Sequence, residues 1–188
     1  MQYSGIILAG GKSRRMGRDK ALLSYGNTSF LQRAVDLLKP FCSEIFISIS
    51  DKTYLPGKSR IHTVKDLFPD AGPLGGIYSA LQQMQSEKAI VIPVDMPLLQ
   101  PGIPATLLAE DQADKDIVLF SVGKRLQPFP GLYARALSES IGSQIREGNL
   151  KMYDLIARSR TKIISGDRFA SYFANINTPD DEKNLHRR

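Results

Sequence analysis

Short, continuously apolar runs alternate along the chain with longer segments in which apolar residues recur at the spacing of one helix face. The short runs, each typical of a strand that is covered on both sides, are residues 6–8, 45–49 and 89–94. The longer segments, each predicted to be a helix, are residues 30–38, 77–84 and 103–109. Strands that alternate with helices predict βαβ units and therefore an α/β fold with a largely parallel sheet.

The second half of the chain has a looser pattern. Its predicted elements are strands at residues 117–120 and 129–133 and helices at residues 134–145 and 152–157. Gly148-Asn149 is a stop signal between the two helices. Residues 161–164 and 173–176 are candidate late strands, for which an antiparallel place at the margin of the sheet is open. Earlier in the chain, Thr28 or Ser29 is placed to cap the helix that follows.

Length and composition favour a single domain with one hydrophobic core. The chain has 188 residues, of which 42% are hydrophobic, and neither a repeat nor a long linker divides it. We therefore expect residues 1–188 to form a single domain.

The sequence holds no run of about 18 apolar residues and no signal-peptide pattern at its start. These features predict a cytoplasmic protein without a membrane partner.

The residues that bind soft metals are sparse. Cys42 is the one cysteine and stands next to an apolar run, which favours a packed structural thiol over a nucleophile. His62 and His186 have no Cys or carboxylate at ligand spacing, so the sequence gives no support for zinc. Any metal is expected to be a hard cation with oxygen ligands.

Residues 8–20 carry the densest chemistry of the chain. They read Leu-Ala-Gly-Gly-Lys-Ser-Arg-Arg-Met-Gly-Arg-Asp-Lys. Gly10 and Gly11 end an apolar run and let backbone N–H groups turn toward an anion, and the cations that follow favour a nucleoside triphosphate. A plain strand-to-helix turn beside solvated cations is the alternative. The loop is not a Walker P-loop, whose first glycine would stand at Ile6, and it lacks the G-x-G-x-x-G series of dinucleotide folds.

The charge of the chain is concentrated in this loop. Between Lys12 and Lys20 there are five basic residues and one acidic residue, so this stretch supplies +4 of the net charge of +6. It lacks the interleaved aromatic residues of a platform for single-stranded nucleic acid. Nucleic-acid binding is therefore the weaker interpretation, and we expect no nucleic-acid partner.

Polar residues stand where predicted strands end. Asp66 follows residues 61–64, the glycine-rich stretch 72–76 precedes a helix, and Asp95 ends the run 89–94. Ligands of open α/β sheets bind outside the carboxyl ends of the strands, so one rim is expected to collect these residues with Gly10 and Gly11. Asp95 is the predicted anchor for Mg²⁺, which takes one or two carboxylates together with phosphate oxygens. Its alternative role is to hold the turn before Pro97.

The remaining candidate residues are predicted to bind either the phosphates or the nucleoside of a triphosphate. Lys20 offers a point charge to the phosphates, and Arg15 offers a fork that suits phosphate oxygens. Asp66 either orients the ribose or base or holds the turn before Pro69; the sequence leaves both open.

With these motifs in place, the chain resembles the molybdenum cofactor guanylyltransferases, members of a nucleotidyltransferase superfamily. The resemblance runs nearly end to end, in residues 8–20, 66–77, 93–97, 127–133 and 175–179. It implies a Rossmann-like, three-layer α/β/α fold with a mostly parallel mixed sheet. It also implies a Mg²⁺-dependent enzyme that joins GMP from GTP to molybdenum-bound molybdopterin, giving the guanine dinucleotide cofactor and pyrophosphate.

The resemblance also implies roles for individual residues. The GTP-binding set would be Leu8, Ala9, Gly10, Gly11, Lys20, Asp66, Gly75 and Asp95. The resemblance implies that Asp95 also holds Mg²⁺, and from the mechanism we expect a catalytic set of Arg15, Lys20 and Asp95. Asn175 and Asn177 would lie near the pterin, and transient contact with other cofactor-biosynthesis proteins would accompany the reaction. No general base is needed, because a phosphate monoester is already an anion at neutral pH.

The sequence departs from the family pattern at one position, and two alternative functions remain open. Many relatives have an asparagine after the second strand that contacts the nucleotide, where this chain has Ser50 and Asp51. A related cytidylyl- or sugar-nucleotidyltransferase is the alternative within the same class. A non-catalytic nucleotide-binding module is the alternative from a different class.

Overall fold

Parallel strands form the centre of the molecule. The computed structural model describes residues 2–10, 23–49, 60–178, 180, 181 and 183. Within these residues the strands are β1 (Tyr3–Leu8), β2 (Ser24–Tyr25), β3 (Thr28–Ser29), β4 (Glu44–Ile49), β5 (Ile61–Lys65), β6 (Lys88–Pro93), β7 (Ile117–Val122), β8 (Arg125–Ala134) and β9 (Thr161–Ser165). The α-helices are α1 (Phe30–Leu38), α2 (Gly72–Leu81), α3 (Gly102–Ala109), α4 (Leu137–Arg146) and α5 (Met152–Arg158), and Asp167–Tyr172 is a 3₁₀-helix.

The main sheet is mixed but mostly parallel. In the described part of the chain its strand order is β5-β4-β1-β6-β8-β7-β9, and β2 and β3 form a separate antiparallel pair. Strands β5, β4, β1 and β6 are parallel, β8 runs antiparallel to both of its neighbours, and β9 is parallel to β7. The predicted fold class is confirmed.

Helices cover both faces of this sheet. Successive side chains of a strand point to opposite faces, so Ile7 and its neighbours Ile6 and Leu8 enter different cores. The core that contains Ile7 lies under α1 and α3, and the core that contains Ile6 and Leu8 lies under α2, α4 and α5. The molecule therefore has the three α/β/α layers that the family resemblance implies.

Local signals explain where several helices begin. Ser29 caps α1, because its hydroxyl accepts a hydrogen bond from the backbone N–H of Gln32 at 3.1 Å. Helix α2 begins at Gly72, five residues before the predicted segment, with Pro73 in its first turn. Helix α4 begins at Leu137 rather than at residue 134, because Ala134 still pairs with Lys88 in the sheet.

The two candidate late strands have different outcomes. Strand β9 exists at the margin of the sheet, but it is parallel to β7, because the chain returns through β8, α4 and α5 before it pairs. Residues 173–176 do not form a strand, so that prediction is wrong. The aromatic ring of Phe173 packs on Phe120 instead, and the backbone N–H of Ile176 donates to the carbonyl of Asp95 at 2.8 Å.

Cys42 packs as a structural thiol. It lies against the core under α1, and burial raises the pKa of its thiol to about 12. A Cβ on Gly5 would lie 3.3 Å from its Sγ, so the thiol fills space beside β1. Among the described residues, no helix is both long and apolar enough to cross a bilayer.

A buried ion pair fastens the amino ends of β1 and β6 to the segment after α3. The ammonium of Lys88 donates to a carboxylate oxygen of Asp111 and to the carbonyl of Gln112, and the hydroxyl of Tyr3 donates to the other oxygen of Asp111 at 2.9 Å. The Lys88 and Asp111 side chains are 10% and 7% exposed. Burial and the bond to Asp111 raise the pKa of Tyr3 to about 12.

We predict that Asp111→Ala destabilises the protein by about 3–5 kcal/mol, because it leaves the buried Lys88 charge without its partner. The free energy of unfolding in urea measures the effect. Asp114→Ala is the control, since it removes an exposed carboxylate paired with Lys115 and should leave the unfolding midpoint unchanged. Equal midpoints for wild type and Asp111→Ala would contradict a structural role for the pair.

Candidate functional site

A cleft of about 420 Å³ lies at the carboxyl ends of the parallel strands. Ends of parallel strands meet at one edge of a sheet, which is where open α/β folds bind ligands. The lining residues are Leu8, Ala9, Gly10, Ser48, Asp66, Gly72, Pro73, Pro93, Val94, Asp95, Met96, Arg125, Leu126, Gln127, Pro128, Phe129, Tyr153 and Asn175. The structure thus brings together Gly10, Asp66, Gly72 and Asp95, which the sequence assigned to one rim.

Backbone hydrogen bonds hold the end of β1 in the middle of the cleft. The N–H of Ala9 donates to the carbonyl of Ser48 at 3.0 Å, and the N–H of Val94 donates to the carbonyl of Leu8 at 3.1 Å. Pairing of β1 with β4 therefore continues one residue beyond β1, and pairing of β6 with β1 continues one residue beyond β6. These bonds fix Leu8 and Ala9, which line the cleft with Gly10; all three are predicted GTP-binding residues.

Asp66 is held by a residue that sequence reasoning missed. The hydroxyl of Ser48 donates to its carboxylate at 2.7 Å, and both residues line the cleft. Burial raises the pKa of Asp66, while the hydrogen bond from Ser48 opposes that rise. A Cβ on Gly76 would collide with the Ser48 hydroxyl, so the glycine leaves room for this pair. The available signal was one hydroxyl inside the apolar strand β4.

Asp95 lies in the turn that follows β6, half-buried in the cleft. Its carbonyl accepts the N–H of Ile176, and the N–H of Val94, the residue before it, donates to the carbonyl of Leu8 at 3.1 Å. The backbone around Asp95 is therefore anchored on both sides. Asp95 and Asp66 give the cleft two carboxylates, which is an oxygen donor set of the kind that hard cations prefer.

The other wall of the cleft comes from β8 and α5. Arg125, Gln127 and Phe129 belong to this wall, and Tyr153 of α5 stands beside it with its hydroxyl 3.5 Å from the carbonyl of Leu126. No role was assigned to these residues from the sequence. The signal was Pro128 and Pro130 inside a strand, since proline within a strand marks an edge or a bulge.

Two predicted site residues lie outside the lining of the cleft. Gly75 is buried in α2, where a Cβ would lie 2.8 Å from the carbonyl oxygen of Phe68, so its observed constraint is helix packing. Asn177 is held through its backbone N–H, which donates to Asp181 at 2.9 Å, whereas Asn175 does line the cleft.

The basic loop belongs to the part of the chain that the structure does not describe. Gly11, Arg15 and Lys20 lie outside the described residues, as do Ser50 and Asp51 at the position of the family asparagine. Their assigned roles remain predictions.

The described residues include no group of three or more His, Cys, Asp or Glu side chains that could hold a metal ion. His62 stacks on Phe46 with ring centroids 5.1 Å apart and lies 4.0 Å from Glu44.

Comparisons with known proteins agree with this fold. Residues 5–162 match the family model described as the MobA-like NTP transferase domain. A relative from Pelotomaculum thermopropionicum, named probable molybdenum cofactor guanylyltransferase, is 32% identical and aligns over 96% of this chain and 90% of its own length. A relative from Shewanella sp. (strain MR-4), named molybdenum cofactor guanylyltransferase, is 30% identical over 98% of this chain and 95% of its own.

Solved structures share the fold. The molybdopterin-guanine dinucleotide biosynthesis protein A of Archaeoglobus fulgidus superposes with a TM-score of 0.83 at 22% identity, over 98% of this chain and 97% of that one. A 2-C-methyl-D-erythritol 4-phosphate cytidylyltransferase from Thermus thermophilus gives a TM-score of 0.76 at 16% identity, over 100% and 98%. At such identities the likeness shows the fold alone.

The fold, the cleft and the family match define a nucleotidyltransferase enzyme. In particular, the chain belongs to the MobA-like NTP transferase domain family.

We predict that Asp66→Asn stabilises the protein at pH 7. Burial raises the pKa of Asp66, so the folded state holds its proton more tightly than the unfolded state, whose pKa is about 3.9. Wild-type stability therefore decreases as the pH rises from about 4 through the raised pKa, and the asparagine variant escapes this decrease. Urea unfolding between about pH 4.5 and 7 should show an advantage of the variant that grows with pH.

Asp116→Asn is the comparison variant, because the pKa of Asp116 is shifted in the direction opposite to that of Asp66. The hydrogen bond from Arg160 lowers the pKa of Asp116, so its stabilising contribution is present above the ordinary pKa of an aspartate. The deficit of this variant should stay constant over the same pH range. A constant difference for Asp66→Asn as well would show that the Asp66 carboxylate does not titrate with folding.

Proposed function

We propose that this protein transfers GMP from GTP to molybdenum-bound molybdopterin, forming the guanine dinucleotide cofactor and releasing pyrophosphate. The observation that carries the proposal is the convergence of the end of β1, Asp66 and Asp95 in one cleft at the carboxyl edge of the sheet. The names of the relatives that align over nearly the whole chain support the choice of GTP and molybdopterin.

The nucleotide is assigned to the half of the cleft formed by β1, β4 and β5. The fixed backbone of Leu8, Ala9 and Gly10 can contact the nucleotide, and Asp66, oriented by Ser48, can accept a hydrogen bond from its ribose or base. Lys20 and Arg15 are proposed to bind the phosphates, since their ammonium and guanidinium groups suit anionic oxygens.

The donor set of the cleft fits Mg²⁺. Asp95 would hold the ion, and phosphate oxygens and water would complete the ligands. When bound, Mg²⁺ would neutralise negative charge on the triphosphate and on the departing pyrophosphate.

The reaction is a substitution at the α-phosphorus of GTP. An oxygen of the acceptor phosphate forms a bond to that phosphorus while the bond to the bridging oxygen of pyrophosphate breaks. The attacking oxygen is already anionic, so no residue has to remove a proton. The contribution of the protein is to hold both substrates in line and to stabilise charge with Lys20 and Arg15.

The acceptor is assigned to the remaining half of the cleft. Asn175 lines this region and offers an amide to the polar edge of a pterin. Asn177 is proposed to support the same substrate from the adjoining segment. A cytoplasmic setting and transient contact with other cofactor-biosynthesis proteins complete the proposal.

We predict that Asp95→Ala reduces pyrophosphate release from GTP and molybdenum-bound molybdopterin by at least about a hundredfold. The variant loses the carboxylate that would hold Mg²⁺, and with it the neutralisation of negative charge on the triphosphate. Release is measured over a range of Mg²⁺ concentrations, with chelator as the zero point. Asp114→Ala, an exposed carboxylate outside the cleft, is the matched control. Equal release by Asp95→Ala and wild type would remove Asp95 from the mechanism, and release that persists in chelator would exclude Mg²⁺ dependence.

Calorimetric titration with GTP, CTP, ATP and UTP in the presence of Mg²⁺ tests which nucleotide base the protein prefers. We expect GTP to bind most tightly. Tighter binding of another triphosphate would favour the cytidylyl- or sugar-nucleotidyltransferase alternative, and binding of GTP without pyrophosphate release would favour the non-catalytic module.

A further inference from the structure

Strand β8 leaves the regular ladder where it passes the cleft. Leu119 of β7 pairs with Gly131, but the next residue, Phe120, pairs with Gln127. The three residues between those two partners therefore form a bulge, and bulges re-aim side chains beside functional sites. Two of the three, Pro128 and Phe129, line the cleft.

Tyr133 supports this bulge from inside the protein. Its side chain is fully buried, and its hydroxyl donates to the carbonyl of Pro128 at 2.6 Å. Its ring lies 6.1 Å from the ring of Phe129. Gly131 makes room for the arrangement, since a Cβ there would lie 2.8 Å from the Tyr133 ring and 2.9 Å from the Pro128 oxygen. One buried side chain thus contacts the bulge through both a hydrogen bond and a ring contact.

The bulge lies across Asp95 from the residues assigned to the nucleotide. In the order β5-β4-β1-β6-β8, the ends of β5, β4 and β1 carry the nucleotide side, and Asp95 follows β6. Strand β8 is on the opposite side of β6, so its bulge faces the space that remains for the second substrate. Arg125, at the start of β8, also lines this wall and brings a cation to the half of the cleft that receives a phosphate-bearing acceptor.

We infer that Tyr133 is a positioning residue for the acceptor: its hydroxyl holds the Pro128 bulge in the shape that fits the molecule attacking GTP. This inference rests on the proposed function for the identity of the acceptor. Tyr133 touches no substrate, because it is sealed beneath the bulge, and it acts through Pro128 and Phe129.

Tyr133→Phe tests the inference by deleting only the hydroxyl. We expect KM for molybdenum-bound molybdopterin to rise about three- to tenfold, equivalent to roughly 0.6–1.4 kcal/mol, while KM for GTP stays at the wild-type value. Hydrogen exchange of the backbone amides between residues 125 and 131 should become faster in the same variant, because the bulge has lost its tether.

The matched control is Tyr3→Phe, which deletes a partly buried tyrosine hydroxyl bond, to Asp111, outside the cleft. It should leave both KM values and exchange in the bulge unchanged. Gly131→Ala is the second variant and should raise KM for the acceptor by pushing on the Pro128 carbonyl. Its own control is Gly102→Ala, whose Cβ would meet Phe169 at an ordinary 3.5 Å.

The outcomes separate this inference from the proposed function. Equal changes in the two KM values, or a Tyr133→Phe profile that matches Tyr3→Phe, overturn the positioning role while the guanylyltransferase function stands. Unchanged exchange of the backbone amides between residues 125 and 131 in Tyr133→Phe overturns that role whatever the acceptor is. Wild-type protein that releases no pyrophosphate with molybdenum-bound molybdopterin overturns the proposed function, and the assignment of the acceptor fails with it.

Discussion

Backbone hydrogen bonds that continue past the ends of the parallel strands β1 and β6 hold the cleft in shape. The N–H of Ala9 reaches the carbonyl of Ser48 on one side, and the carbonyl of Leu8 receives the N–H of Val94 on the other. The turn that carries Asp95 is therefore fixed relative to the end of β1 before any side chain is considered. Such pairing needs no particular side chain, so this edge can keep its geometry while the residues around it vary. The chemistry of the site depends on that rigidity, since catalysis by positioning tolerates little displacement.

Periodicity in the sequence was sufficient for the central architecture because those strands are buried on both faces. Continuous apolar runs at residues 45–49 and 89–94 correspond to β4 and β6, and the carboxylates that follow predicted strands, Asp66 and Asp95, do meet in one cleft. This part of the site follows from a topological rule, which requires only the order of strands and the position of each polar residue after its strand. Burial of a nearly uniform apolar strand is visible in composition alone.

The remaining features depend on contacts between residues far apart in the chain. Ser48 has the pattern of an ordinary strand residue, and only the fold places it beside Asp66. The bulge at Pro128 is likewise in contact with Tyr133 and Gly131, which a local pattern does not reveal. The parallel direction of β9 likewise follows from the path through α4 and α5, which local patterns do not encode. The stretch at residues 173–176 has strand-like composition, but its apolar side chains serve as packing against the finished core rather than as part of a ladder.

The bond from Ile176 to the carbonyl of Asp95 joins a late part of the chain to the middle of the site. Asn175, one residue earlier, lines the same cleft as Leu8, which lies 167 positions before it. During synthesis, a polypeptide that has emerged only as far as β8 already contains the central strands but lacks residues 175 and 176. A growing chain on the ribosome would therefore expose an unfinished pocket, and the half of the cleft assigned to the acceptor would be completed late, once nearly all of the polypeptide is available to fold.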